Sequence, residues 1–146
     1  MGSKILFITP PFTQLNTPYP ATAYLKGFFN TQNIETKQVD LGIDVTLRLF
    51  SKKGFTEIFD AITRENISLS PNSKRICDLR HDYIHTIDAV IRFLQGKNQT
   101  LSHSIVTRDF LPEASRFEQI EDLEWTFGEM GITDKSKRLA TLYLED

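Results

Sequence analysis

Apolar and polar positions fall into two regimes along the chain. The stretch KILFITP opens with Ile5, Leu6, Phe7 and Ile8 in succession and stops at Pro10 and Pro11. A short unbroken apolar run closed by prolines predicts a strand buried on both faces, as in a parallel sheet. From Pro20 the pattern turns helical. Proline suits the first helical position, and Tyr24, Leu25, Phe28 and Phe29 form a stripe at helical spacing, with Gly27 inside it permitting close packing on a sheet. NIETKQVDLG then alternates, which predicts a second, more exposed strand ending near Asp40. Strand, helix and strand in this order make a βαβ unit, whose crossover is almost always right-handed.

After Gly42 the spacing becomes helical throughout. Val45 and Leu49, then Phe55, Ile58, Phe59 and Ile62, predict two tandem helices with a break at Gly54. SLSPNSK reads as a loop, and Ser73 as the cap of a helix on which Ile76, Tyr83, Ile84, Ile87, Val90, Ile91 and Leu94 keep period up to Gly96. Residues 97–112 read as a short strand or a connector. Phe117, Ile120, Leu123, Phe127 and Met130 mark a further helix stopped by Gly131 as a left-handed terminator. A last helix, capped by Thr133 or Asp134, carries Leu139, Leu142 and Tyr143.

The expected fold class is therefore α/β: a short parallel βαβ start, Rossmann-like but partial, followed by a helix-rich accessory layer. One domain over 1–146 is expected, with 1–42 the βαβ unit and 43–146 mostly helical. A two-stranded parallel sheet leaves its edges open. That imbalance predicts an N-terminal fragment of a larger α/β protein whose later strands lie beyond Asp146. The closing RLATLYLED reads the same way, as an apolar stripe that wants more chain.

Composition narrows the function classes. With 146 residues, 40% of them hydrophobic and 25% charged, the chain can bury one ordinary core. Seventeen basic against nineteen acidic residues give a net charge of −2 and no basic block, which argues against nucleic acid as a partner. The longest apolar run falls far short of a membrane span and no secretory leader is visible, so no membrane association and a cytoplasmic location are expected. The single cysteine, Cys77, excludes an internal disulfide and cannot hold a zinc or iron–sulfur site alone.

In open α/β sheets ligands sit at the carboxyl ends of the strands. Here those ends are TPPFTQLNTPYP and DLGID. The first offers Thr9, Thr13, Gln14, Asn16 and Thr17 as hydrogen-bonding groups and Phe12 and Tyr19 as flat surfaces; the second offers Asp40 and Asp44. Such a set can grip a polar, ring-bearing ligand, although prolines stiffening a solvated connection account for the same residues. Neither G-x-G-x-x-G nor G-x-x-x-x-G-K-[ST] is present, so a conventional dinucleotide or ATP site at the first strand is not expected. His81 and His85, four apart and flanked by Asp78 and Asp88, have metal-ligand spacing. They lie off the Ile84, Ile87 and Ile91 side, which reads more simply as a solvated helix face. Cys77 near a helix start, with Lys74 and Arg75 close by, admits a lowered thiol pKa, with a buried structural thiol the simpler reading. Trp125 and Tyr143 are candidates for a partner surface.

KILFITPP, TPYPATAYLKGFF and IETKQVDLG together resemble the N-terminal region of cobalamin-binding-domain radical SAM enzymes, a family of iron–sulfur oxidoreductases. Thr9, Pro10 and Pro11 stand where that family has Asn-Pro-Pro, Pro18 and Ala23-Tyr24-Leu25 match its helix entry, and Asp40 matches the end of its second strand. The resemblance covers about the first 42 residues. It implies a cofactor- or substrate-positioning domain, not catalytic alone. Thr9, Pro10, Pro11, Phe12, Asn16, Thr17, Tyr19 and Asp40 would then face cobalamin or a substrate, and the catalytic domain of the parent chain would be the partner. The D-x-H-x-x-G of cobalt-ligating domains and the C-x-x-x-C-x-x-C of the radical-generating cluster are absent, so the cluster and S-adenosylmethionine would belong to the parent alone. The alternative, from another class, is a standalone α/β interaction or regulatory module.

Overall fold

Strand β1 (Lys4–Thr9) pairs in parallel with β2 (Glu35–Asp40), in a register that sets Ile5 beside Thr36, Phe7 beside Gln38 and Thr9 beside Asp40. Helix α1 (Pro20–Thr31) joins them, with Pro20 in its first turn as expected. The computed structural model describes residues 4–13, 19–118 and 131–146, and among these the chain is a mostly helical α/β protein with eight α-helices and one two-stranded parallel sheet. It divides into two compact units, Met1–Leu49 and Phe50–Asp146.

In the first unit α1 covers one face of the sheet, and the contact is largely polar. Gln38 donates from Nε2 to Thr22 Oγ1 at 2.7 Å, and Thr36 donates from Oγ1 to Asn30 Oδ1 at 2.7 Å. Phe7 against Phe29, with ring centroids 5.9 Å apart, is the aromatic contact of this layer. Two expectations are corrected here. β1 is not buried on both faces: Ile5, Phe7 and Thr9 turn toward α1, while Leu6 and Ile8 on the other face are 55% and 49% exposed. Of the apolar stripe of α1, Phe29 meets Phe7 but Tyr24, Leu25 and Phe28 do not pack inward. Thr22 is the buried residue, and Tyr24 and Phe28 stand out at 78% and 58% exposure. Gly27, with open space where a Cβ would stand, makes no close approach. The reason is shared: a helix can seat one face on a two-stranded sheet, and periodicity alone does not say which.

Helix α2 (Leu41–Leu49) begins immediately after β2, so DLGID is a strand end and a helix start, not a loop. The second unit opens with α3 (Lys52–Glu65), capped by Ser51, whose Oγ accepts from the Gly54 N–H at 3.0 Å. The expected tandem helices are present, but the break lies at Phe50 and Ser51, and Gly54 belongs to the first turn of α3. Losing that cap exposes an unsatisfied donor, so Ser51→Ala should lower stability by about 1 kcal/mol, read as a shifted urea midpoint at unchanged slope.

Ser70, not Ser73, caps α4 (Pro71–Asp78), accepting from the Ser73 N–H at 3.1 Å. The helix expected to run on to Leu94 is broken at Leu79, which ends α4 and precedes α5 (Arg80–Leu94). The stretch expected as a strand or connector holds a 3-10 turn, Gln99–Leu101, and α6 (Ser102–Val106). Helix α7 (Ser115–Glu118) starts the next expected helix; Ile120, Leu123, Trp125, Phe127 and Met130 lie outside the described residues. Gly131 is no left-handed terminator. At φ −63° and ψ 160° it is extended and caps α8 (Ile132–Glu145), displacing Thr133 and Asp134 from that role.

The core of this unit gathers around α5. Ile87, Val90 and Phe93 are fully buried and join Phe59, Ile105, Phe117, Leu139, Leu142 and Tyr143 in one cluster. The closing stripe of α8 therefore does not lie open, because Leu139, Ala140, Leu142 and Tyr143 are buried. Tyr143, stacked on Tyr83 at 5.0 Å, is no partner surface.

Candidate functional site

The parallel register brings Thr9 and Asp40 side by side at the carboxyl edge of the sheet. Asp40 ends β2 and also caps α2, accepting the Ile43 N–H on Oδ1 at 3.1 Å. Aspartate suits that position because its carboxylate satisfies a first-turn donor at the positive end of the helix. Thr9 is 2% exposed, and its Oγ1 is buried without a hydrogen-bond partner among the described residues. Buried hydroxyls are normally paired.

Beyond Thr9 the chain turns sharply. Thr13 donates from Oγ1 to the Pro10 carbonyl at 3.3 Å, and Phe12 takes φ 64°, a left-handed conformation unfavourable for a bulky side chain. The turn holds Phe12 90% exposed, a flat apolar face presented to solvent beside the strand end. Pro10 is exposed and Pro11 half-buried. Tyr19, 59% exposed, precedes α1. Gln14, Asn16, Thr17 and Pro18 lie outside the described residues. Asp44 sits exposed in the first turn of α2. The orphan hydroxyl of Thr9 and the strained backbone of Phe12 carry no signature in the sequence, since both follow from the turn geometry.

No family model matches the chain, and neither does any curated protein or solved structure.

The other candidates separate from this edge in the sequence and in chemistry. His81 and His85 lie exposed on α5, with His85 Nδ1 donating to the His81 carbonyl at 2.8 Å. Asp88 accepts the Lys52 N–H at 2.8 Å, and the described residues contain no group of three or more His, Cys, Asp and Glu side chains placed to hold a metal. Burial, with the charge of Asp78, pushes the Cys77 thiol up from its usual range, which reverses the lowered pKa considered from sequence. Among the described residues no helix is long and apolar enough to cross a membrane.

Proposed function

We propose that the unit Met1–Leu49 is the opening of a Rossmann-like, cobalamin-type domain that positions a cofactor or substrate for a radical SAM iron–sulfur oxidoreductase. It would not be catalytic alone. The observation that carries this reading is the carboxyl edge of the parallel βαβ unit, where Thr9, whose hydroxyl has no partner among the described residues, stands beside Asp40, with the exposed Phe12 three residues further along the chain. A planar ligand with polar substituents matches that set, which offers one flat surface and two hydrogen-bonding groups. The uncovered Leu6 and Ile8 add support, because a doubly wound sheet buries both faces under helices.

The gene frame tests this first. A reading frame that continues past Asp146 into C-x-x-x-C-x-x-C is the expected result, and a stop codon directly after Asp146 would overturn the reading. In the parent enzyme Thr9→Val removes the hydroxyl at constant shape, and Asp40→Asn removes the charge while keeping a good helix cap. Each should lower turnover about tenfold, the scale of one hydrogen bond to a charged or buried group. His81→Ala and His85→Ala should leave it unchanged. Equal tolerance at all four positions would contradict the proposal.

A second reading, an interaction or regulatory module, draws on the closed core of the second unit, whose α8 stripe is already covered. Its partner surface would be the exposed Tyr24 and Phe28 stripe of α1.

A further inference from the structure

In the second unit a cavity of about 310 Å³ is lined by the end of α3, the loop after it, α4 and the first residue of α5, at the lower end of the size range of small-molecule sites. Phe59, Ile62, Ile67 and Leu69 give it apolar walls, and its charged residues are Lys74, Asp78 and Arg80. Two cations against one carboxylate leave the lining one charge positive. Lys74 is exposed and Arg80 half-buried, and neither has an ion-pair partner among the described residues. Burial raises the pKa of the Cys77 thiol in the same wall, the charge of Asp78 raises it further and that of Arg80 opposes both, so these two charges act on the cavity wall itself. Asn66, held at φ 48° as the left-handed C-cap of α3, also lines the cavity and carries an amide donor.

Unpaired cations beside apolar walls are the two parts needed to hold an amphipathic anion, and a single excess positive charge matches a monoanion. We infer that this cavity binds a small carboxylate with an apolar ring or short hydrocarbon body, its charged head directed to Lys74 and Arg80. The apolar walls supply affinity by burial, and the two cations supply selection for anion over cation, with Asp78 working against them. The inference concerns the second unit alone and stands whether or not the reading of the strand edge is right.

The test uses the 146-residue chain and three probes of one shape: phenylacetate, 2-phenylethylamine and ethylbenzene, titrated by amide chemical shifts at low salt. Phenylacetate should bind saturably and about tenfold tighter than the amine, and added salt should narrow the gap because Lys74 is exposed. Lys74→Gln and Arg80→Gln should each reduce the preference and together erase it, leaving ethylbenzene unaffected. Neither change should lower the melting temperature, because neither breaks an ion pair. Asp78→Asn should strengthen phenylacetate about threefold, since it removes the opposing charge. Leu69→Trp, filling the cavity, should abolish binding of all three; should that variant misfold by circular dichroism, Ile67→Trp at the more exposed neighbouring position serves instead. The amine binding as tightly as phenylacetate, a phenylacetate affinity indifferent to the paired Lys74 and Arg80 changes, or no saturable phenylacetate binding below about 10 mM would overturn the inference.

Discussion

Phe93→Ala is expected to lower the unfolding free energy by about 3–5 kcal/mol, the range for deleting a buried ring from a core that cannot collapse around the void. Phe93 is fully buried on α5 between Val90 and the cluster that includes Ile105, Leu139 and Leu142. Helices from distant parts of the chain meet there, so no single side chain can move in to refill the space. A domain of this size is stable by only about 5–15 kcal/mol. The variant should therefore show a much lower urea midpoint, with loss of near-ultraviolet circular dichroism at temperatures the parent tolerates. A loss under about 1 kcal/mol would mean that the core around α5 is not packed as described.

Alkaline pH is expected to produce the second large effect. Burial pushes the Tyr83 and Tyr143 hydroxyls well above the ordinary tyrosine range, with the charge of Asp146 adding to the first and that of Asp88 to the second. In the unfolded chain both phenols ionise near pH 10, whereas in the folded chain both keep their protons. The unfolded state then binds fewer protons, and stability falls as pH rises past about 10. Below that pH the contribution is fully present. Above it the loss approaches about 1.4 kcal/mol per pH unit for each phenol, and so about 2.7 for the pair. Urea midpoints measured upward from neutral pH should stay level and then drop steeply, with phenolate absorbance from these two residues appearing only as the chain unfolds. Tyr143→Phe should halve the slope. It should also cost stability at neutral pH, because the Tyr143 hydroxyl donates to the Tyr83 carbonyl at 3.2 Å and lies 3.1 Å from Thr86 Oγ1. A midpoint flat beyond about pH 11 would contradict the burial of this stacked pair.

The same pair shows what local pattern cannot carry. Tyr83 and Tyr143 each fall on an apolar helical stripe, which periodicity makes visible. Their stacking depends on α5 and α8 meeting. Residues 60 apart in sequence carry no local sign of that meeting. At the strand edge Thr9 and Asp40 are both legible as strand ends, and the register places them together. That Asp40 also caps α2 is not visible in DLGID, because it depends on a helix starting at Leu41.

The sequence by itself determined the parallel βαβ opening and the helical character of the remainder. Those features rest on local rules: a short apolar run stopped by prolines, a proline at a helix start, and stripes repeating at helical spacing. Tertiary structure decided the rest. It seated α1 through Thr22 and left Tyr24 and Phe28 outside, chose Ser70 over Ser73 as a cap, broke the long helix at Leu79, and covered the α8 stripe. Periodicity shows that a stripe exists, but burial depends on which surface arrives to cover it, and a cap depends on which hydroxyl reaches the free N–H first. The first is settled by contacts between segments far apart in the chain, the second by the local path of the backbone.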